Sequence, residues 1–348
     1  MDLATLLDKL CPPLGPPGRE DEVRRVLEEL CRPWAGRIET DRMGNLQVYL
    51  NPEARPRVML DAHMDEVALV VQAIDEGGMV KVAPLGGLDQ RLLPGSRMVL
   101  QPRPGVHLPA VVGLTPPHVE EKGAADKAVP FHKTFVDTGL GSAEAVAEVG
   151  VEIGTPGVLV AQAGRLGPAG YVARNLDDRS GCALLVAAGR SLAEAGSPLG
   201  LVLNFAVAEE VGLRGAATAA YALAPDIALA LETTVGDTPG VEAARQPSRL
   251  GGGPAITVAD GRMVVPWSLV ESLEAAAARV GVATQRKRPP FGGTDAGAIA
   301  QSRGGVPSAV LSVPVRYIHS PVSLLDLGDL DDTLKVLLAW LERVDELL

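Results

Sequence analysis

Two strand patterns alternate along this chain, and their order limits the folds open to it. LGLVLNFAVA at Leu199, DIALALE at Asp226 and SAVLSVPV at Ser308 are apolar on both faces and are separated by helix-period segments such as SGCALLVAAGRSLAEA, GAATAAYAL and SLVESLEAAAARVG. Strands of that kind need cover on both sides, so they predict an α/β sheet between helix layers. From about Leu69 the pattern changes to LVVQAI, MVKVAPL, RMVLQP, HLPAVVGL and GVLVAQA, each bounded by Gly or Pro, with SAEAVAEVG as the one helical piece. Short alternating strands spaced by turn residues predict a small all-β barrel.

The expected architecture is therefore a mixed central sheet covered by helices on both faces, formed by residues 1–68 plus 164–348, with an inserted β-barrel at 69–163. At the N-terminal end, LATLLDKL and EDEVRRVLEELCRPW read as helices, and IETDRMGNLQVYL as a hairpin. LLDLGDLDDTLKVLLAWLERVDELL reads as one long closing helix.

A length of 348 residues exceeds what a single core usually fills, in keeping with two units. The net charge of −11 argues against a nucleic-acid partner, and RKR at 286–288 reads as a solvated face. Cys11, Cys31 and Cys182 form neither a disulfide framework nor a metal-binding pattern. The acidic start lacks the basic opening of a signal peptide, and no apolar run approaches membrane-spanning length. The expectation is a soluble cytoplasmic protein with no membrane partner.

Ligand crevices of open α/β sheets lie beyond the carboxyl ends of the strands. Those ends carry His63 and Asp65 after VMLDA, Glu209 and Glu210 after FAVA, Glu232 after IALAL, and His319 beyond PVRY. Asp177 and Asp178 stand just before a helix in NLDDRSG. Unpaired buried carboxylates are costly, and bound cations would remove the cost. His63, Asp177, Glu210, Glu232 and His319 are too many for one tetrahedral ion and suit two ions sharing a carboxylate. Asp65, two residues after His63 on extended chain, is placed to orient the imidazole. On the same reasoning, alternation along an extended chain sends Glu209 and Glu210 to different tasks.

The pieces HMDE at His63, FVDTGLGSAEAVAEVGVEIG at Phe135, NLDDRSG at Asn175, AEEVGLRGA at Ala208, GGTDA at Gly292 and VRYIHSP at Val315 occur in an order that resembles one family over nearly the whole chain. It is the dinuclear-metal aminopeptidase family of tetrahedral (TET) peptidases, glutamyl aminopeptidases and proteins once called endoglucanase M. The resemblance implies two divalent ions per subunit, zinc foremost with cobalt or manganese as alternatives. It implies His63 and Glu232 on one ion, Glu210 and His319 on the other, and Asp177 bridging, with a cis peptide to Asp178. Glu209 would be the general base and Asp65 the partner of His63. A peptide substrate and a homo-oligomer, up to a hollow dodecamer built through the β domain, are implied as well.

Two departures accompany the resemblance: Glu232 in LETT stands where aspartate is usual, and SRLGGGP lacks a lysine expected near Gly252. Rival readings are a deacylase or carboxypeptidase using the same metals, a glycosidase, and a non-catalytic interaction protein. The aromatic content of 3% leaves few platforms for stacking sugars.

Overall fold

Apolar alternation without a polar side is satisfied here by a sheet buried on both faces. The computed structural model describes residues 1–116, 118–119, 128–288 and 292–348. Its main sheet runs Arg37–Thr40, Leu46–Leu50, Gly200–Ala206, Arg57–His63, Ile227–Val235, Ser308–Arg316, Ser323–Asp326, Gly170–Ala173 and Gly164–Leu166. The four strands from Gly200–Ala206 to Ser308–Arg316 are mutually parallel, and their outer neighbours are antiparallel. A short pair, Ala255–Thr257 with Gln285–Lys287, extends from Ser308–Arg316.

Neighbouring residues of one strand feed different cores. Val58, Leu60 and Ala62 pack with Leu184, Leu185 and Leu337 on one face, where the long helix Leu176–Glu194 lies. Met59 packs with Ala219, Ala220 and Ile299 on the other, under helices Arg214–Leu223 and Asp295–Ala300. The register puts the carboxyl ends level, with Ala206 beside His63, Ala230 beside Asp61 and Glu232 beside Ser312. Polar residues just past those ends therefore open toward one crevice.

Between Arg57–His63 and Gly164–Leu166, the strands Ala68–Ile74, Val80–Leu85, Arg97–Arg103, Val106–Val112, Val136–Asp137 and Pro156–Leu159 close into a barrel. It has its own core around Leu69, Val82, Met98 and Val136, and closure removes the exposed edges an open sheet would carry. Glu22, on helix Asp21–Cys31, accepts from Gln101 at 2.8 Å, from the Gly105 amide at 3.0 Å and from His107 at 2.8 Å, fixing barrel to sheet. The barrel and the two-sided sheet are those expected from the patterning.

Two local expectations differ from the structure. LLD at Leu324 belongs to strand Ser323–Asp326, and the closing helix is shorter, Leu327–Leu341. Asp326 accepts from the Gly328 amide at 2.7 Å, an N-cap that sets the helix start after the strand. Glu209 and Glu210 do not lie on extended chain. Strand Gly200–Ala206 has ended, and Ala208 turns the backbone at φ 54°.

A buried ion group joins the elements that carry the crevice. Glu66 receives Arg174 at 2.7 Å, Arg179 at 3.4 Å and the Gly15 amide at 3.0 Å. Arg179, fully buried, also donates to the carbonyls of Leu10 and Met64. Removing Arg179 takes one of two cations from the buried Glu66 and its donors from the Leu10 and Met64 carbonyls, which is destabilising. Arg179→Leu should cost roughly 3–5 kcal/mol in denaturant unfolding. The same change at the exposed Arg25 serves as the control and should cost under about 0.5 kcal/mol.

Candidate metal centre

The turn following strand Arg57–His63 sets the first histidine. His63 Nδ1 lies 3.1 Å from the Asp65 backbone carbonyl and 3.5 Å from the Asp65 carboxylate. The orienting contact is thus closer through the main chain than through the side chain. The Asp65 carboxylate also accepts the amides of Glu209 at 2.9 Å and Glu210 at 3.1 Å. It holds the loop that carries both glutamates, a role that sequence spacing does not reveal.

His63 Nε2 then faces Asp177 Oδ1 at 3.2 Å, and Glu209 Oε2 and Glu232 Oε2 at 3.9 Å each. On the opposite side of Asp177, Oδ2 meets His319 Nε2 at 3.1 Å, and Glu210 Oε1 is 3.4 Å from the same nitrogen. One carboxylate therefore stands between two imidazoles, each with a further glutamate. The peptide joining Asp177 to Asp178 is cis. His319 sits at φ 58° in a turn, and its Nδ1 lies 3.2 Å from the carbonyl of Gly87, a residue between two barrel strands. A Cβ at Gly87 would stand 2.8 Å from that nitrogen, so only glycine allows this approach.

All the residues singled out from the sequence, His63, Asp65, Asp177, Glu209, Glu210, Glu232 and His319, meet at this crevice. Asp178 joins them: with His63 and Glu232 it forms one group of closely spaced donor atoms, while His63, Asp177 and Glu210 form another. The longer Glu232 side chain is accommodated because its Oε1 accepts the Asp295 amide at 3.2 Å, leaving Oε2 toward His63.

The donor spacing fits divalent ions. Ligand atoms about 2.0–2.2 Å from a tetrahedral zinc stand roughly 3.3–3.6 Å from one another. The distances of 3.1–3.4 Å among His63, Asp177, Glu210 and His319 are close to that spacing. Glu210 Oε1 and Asp178 Oδ2 are buried without a hydrogen-bond donor, as expected of atoms that require a cation.

Electrostatics say the same. Burial pushes the Glu209 carboxyl up to about 7 and Glu210 up to about 8. Burial also drives Glu232 and Asp178 well above the carboxylate range. Burial opposes the charge of His319 too, but Asp177 and Glu210 outweigh it and raise the imidazole to about 9. Burial acts on His63 in the same way, and Asp177 and Asp65 raise it nonetheless. Asp177 moves the other way: burial would raise it, but hydrogen bonds to His319 and His63 hold it well below the usual range.

The cleft holds about 330 Å³ and is also lined by Thr233, Thr234, Lys287 and the segment Gly292–Thr294. Lys287 escapes the sequence reading, in which RKR is a solvated face. In strand Gln285–Lys287 and the residue after it, Arg286 and Arg288 are exposed, whereas Lys287 is buried.

A histidine–carboxylate centre at the strand ends is suited to metal-assisted hydrolysis. This chain belongs to the M42 glutamyl aminopeptidase family, whose model matches residues 44–336. A TET aminopeptidase structure from a thaumarchaeal marine-sediment archaeon superposes with a TM-score of 0.93 at 31% identity, covering 98% of this chain and 96% of that one. The TET1 peptidase of Pyrococcus horikoshii, which can assemble into a tetrahedron or a large octahedral shell, gives 0.87 at 29% identity over 97% and 98% of the two chains. Lysyl aminopeptidase of Pyrococcus furiosus is 33% identical over 92% of this chain and 91% of its own. The family implied by the motifs is the family found.

The raised glutamates and histidines make the metal-free fold hold more protons than the unfolded chain, so stability falls as pH rises. Glu209 and Glu210 act from about 4.5 up to about 7 and 8, and His319 from about 6.5 up to about 9. The melting temperature of chelator-stripped protein should therefore drop steadily between about pH 5 and pH 9. Added zinc should raise it more at about pH 8 than at about pH 6, because ligands must be deprotonated to bind. A rising melting temperature over that range would contradict the assignment of these groups.

Proposed function

We propose that this chain is a metal-dependent aminopeptidase that removes N-terminal residues from short peptides, with Glu209 as general base. The observation that supports the reading is the arrangement around Asp177: His63 and Glu232 lie to one side and His319 and Glu210 to the other, with Glu209, on the loop of Glu210, 3.9 Å from His63 Nε2.

His63 and Glu232 would hold one divalent ion, Glu210 and His319 a second, and Asp177 would be shared. Zinc, with cobalt or manganese as alternatives, suits this nitrogen–oxygen donor set. Bound ions would supply Lewis acidity toward the scissile carbonyl and lower the pKa of water to roughly 7. Glu209 takes a proton on its carboxylate from the attacking water and delivers it to the departing amine. Asp65 keeps Glu209 and Glu210 in place through their amides, so one loop sets base and ligand together.

The known assemblies of the Pyrococcus horikoshii relative support a homo-oligomer for this chain, with the barrel as its assembly unit. An enclosed assembly would admit short or unfolded peptides and exclude folded proteins.

Glu209→Gln should retain its metals by elemental analysis yet lose about 10²–10⁴-fold in turnover of a leucyl or glutamyl peptide. His319→Ala should lower metal content as well as activity. Near-normal turnover by Glu209→Gln would exclude it as the base. N-acetylation of the substrate should abolish cleavage; cleavage of the acetylated substrate alone would favour a deacylase, and equal cleavage of acetylated and free peptides a carboxypeptidase.

A further inference from the structure

The loop that carries Glu209 leaves its strand through a strained turn, and one acceptor that holds the turn comes from the far end of the sequence. Ala208 stands at φ 54°, a left-handed conformation that strains any residue with a Cβ. Such a turn persists only when its surroundings over-determine it. Four consecutive amides do so here, each received by a side-chain oxygen. Val207 donates to Asn45 Oδ1 at 3.0 Å, Ala208 to Glu20 Oε1 at 3.2 Å, and Glu209 and Glu210 to the two Asp65 oxygens. Successive N–H groups in a turn make a concave receptor for anions, and two of the protein's own carboxylates fill this one.

Glu20 precedes helix Asp21–Cys31 without capping it. It is only 3% exposed and forms no ion pair among the described residues. Burial pushes its carboxyl up to about 7, and the Asp65 charge adds to the push. The amides of Gly18, at 2.8 Å, and Ala208 work against both. Placing one acid dry beside another is costly, and what this placement secures is the turn before Glu209. Asp65 grips the two glutamates by their own amides, whereas Glu20 acts one residue earlier, where the backbone angles direct the chain into Glu209.

We propose that Glu20 is a positioning residue for proton transfer, receiving the Ala208 amide and so keeping the left-handed turn that aims Glu209 at the attacking water. The proposal rests on the reading of Glu209 as general base. Reach rather than charge is what the role requires, because the amide needs an acceptor at the right distance. Five side chains would share the metals, so a small shift of the turn costs alignment of the base before it costs metal.

The test uses the full chain loaded with zinc, cobalt or manganese. Glu20→Asp keeps the charge and withdraws the acceptor by one methylene, whereas Glu20→Gln keeps the reach and removes the charge. Glu20→Asp should lower kcat on leucyl and glutamyl p-nitroanilides about 10–10²-fold, with KM within about 3-fold and metal content unchanged by elemental analysis. Glu20→Gln should hold kcat within about 3-fold of the natural chain. Glycine adopts the left-handed turn without strain, so adding Ala208→Gly to Glu20→Asp should recover at least about 3-fold of the lost kcat. Hydrogen exchange of metal-free protein reads the same contact without catalysis. Amides 207–210 should exchange at least about 10-fold faster in Glu20→Asp than in the natural chain or Glu20→Gln, with strand Arg57–His63 unchanged. Unaltered kcat in Glu20→Asp, loss of metal together with activity, or an equal loss in Glu20→Gln overturns the role of Glu20 alone. Normal turnover by Glu209→Gln, or no cleavage of any free-amine substrate with all three metals, overturns the general-base reading and this proposal with it.

Discussion

Repulsion among buried carboxylates is the constraint around which this molecule is arranged. Asp177, Asp178, Glu209, Glu210 and Glu232 crowd the ends of four parallel strands, with two imidazoles as the neighbouring bases. Burial alone drives most of these acids toward neutrality, and only Asp177, between both histidines, is held firmly ionised. A fold tolerates such a cluster when something else requires it, and divalent cations would supply that requirement. The surrounding structure keeps the acids from relaxing away. Asp65 fixes the glutamate loop, the Asp295 amide holds Glu232, and the Glu66–Arg179 group anchors the segments beneath.

The same constraint explains the layered fold. Parallel strands in register deliver their final residues to one level, so a cluster from distant parts of the sequence needs no long loops. Helices on both faces remove water from the strands, and the dryness of that environment strengthens every charge interaction at their ends. The Glu66 carboxylate and the Arg174 and Arg179 guanidiniums belong to this layer rather than to the crevice, yet they tie the His63 turn to the Asp177 turn.

Much of this is legible in the sequence. Two-sided apolar strands point to the sheet, Gly- and Pro-bounded alternation points to the barrel, and polar residues at strand ends point to the seven side chains of the crevice. What escapes depends on backbone path beyond the last strand residue. Alternation sends Glu209 and Glu210 to opposite sides of a strand, whereas a left-handed turn at Ala208 sets them apart. Spacing makes Asp65 the imidazole's partner, and its carboxylate, 3.5 Å from His63 Nδ1, also holds two amides that spacing does not reveal. Asp178 reads only as the residue after a bridging aspartate, though its oxygens fall among the donors. Lys287 hides inside a charge run because a strand of three residues is too short to announce its alternation.

The contact between His319 and the barrel reaches further than its length suggests. His319 is oriented by the carbonyl of Gly87, and Gly87 belongs to the inserted part of the chain rather than to the sheet. A Cβ at Gly86 would stand 3.3 Å from the Cβ of Glu210. The insertion is therefore a wall of the crevice as well as a barrel with a core of its own. Swapping in a barrel from a relative would have to preserve this glycine pair closely, because the barrel segment sets where a site histidine and a site glutamate can stand.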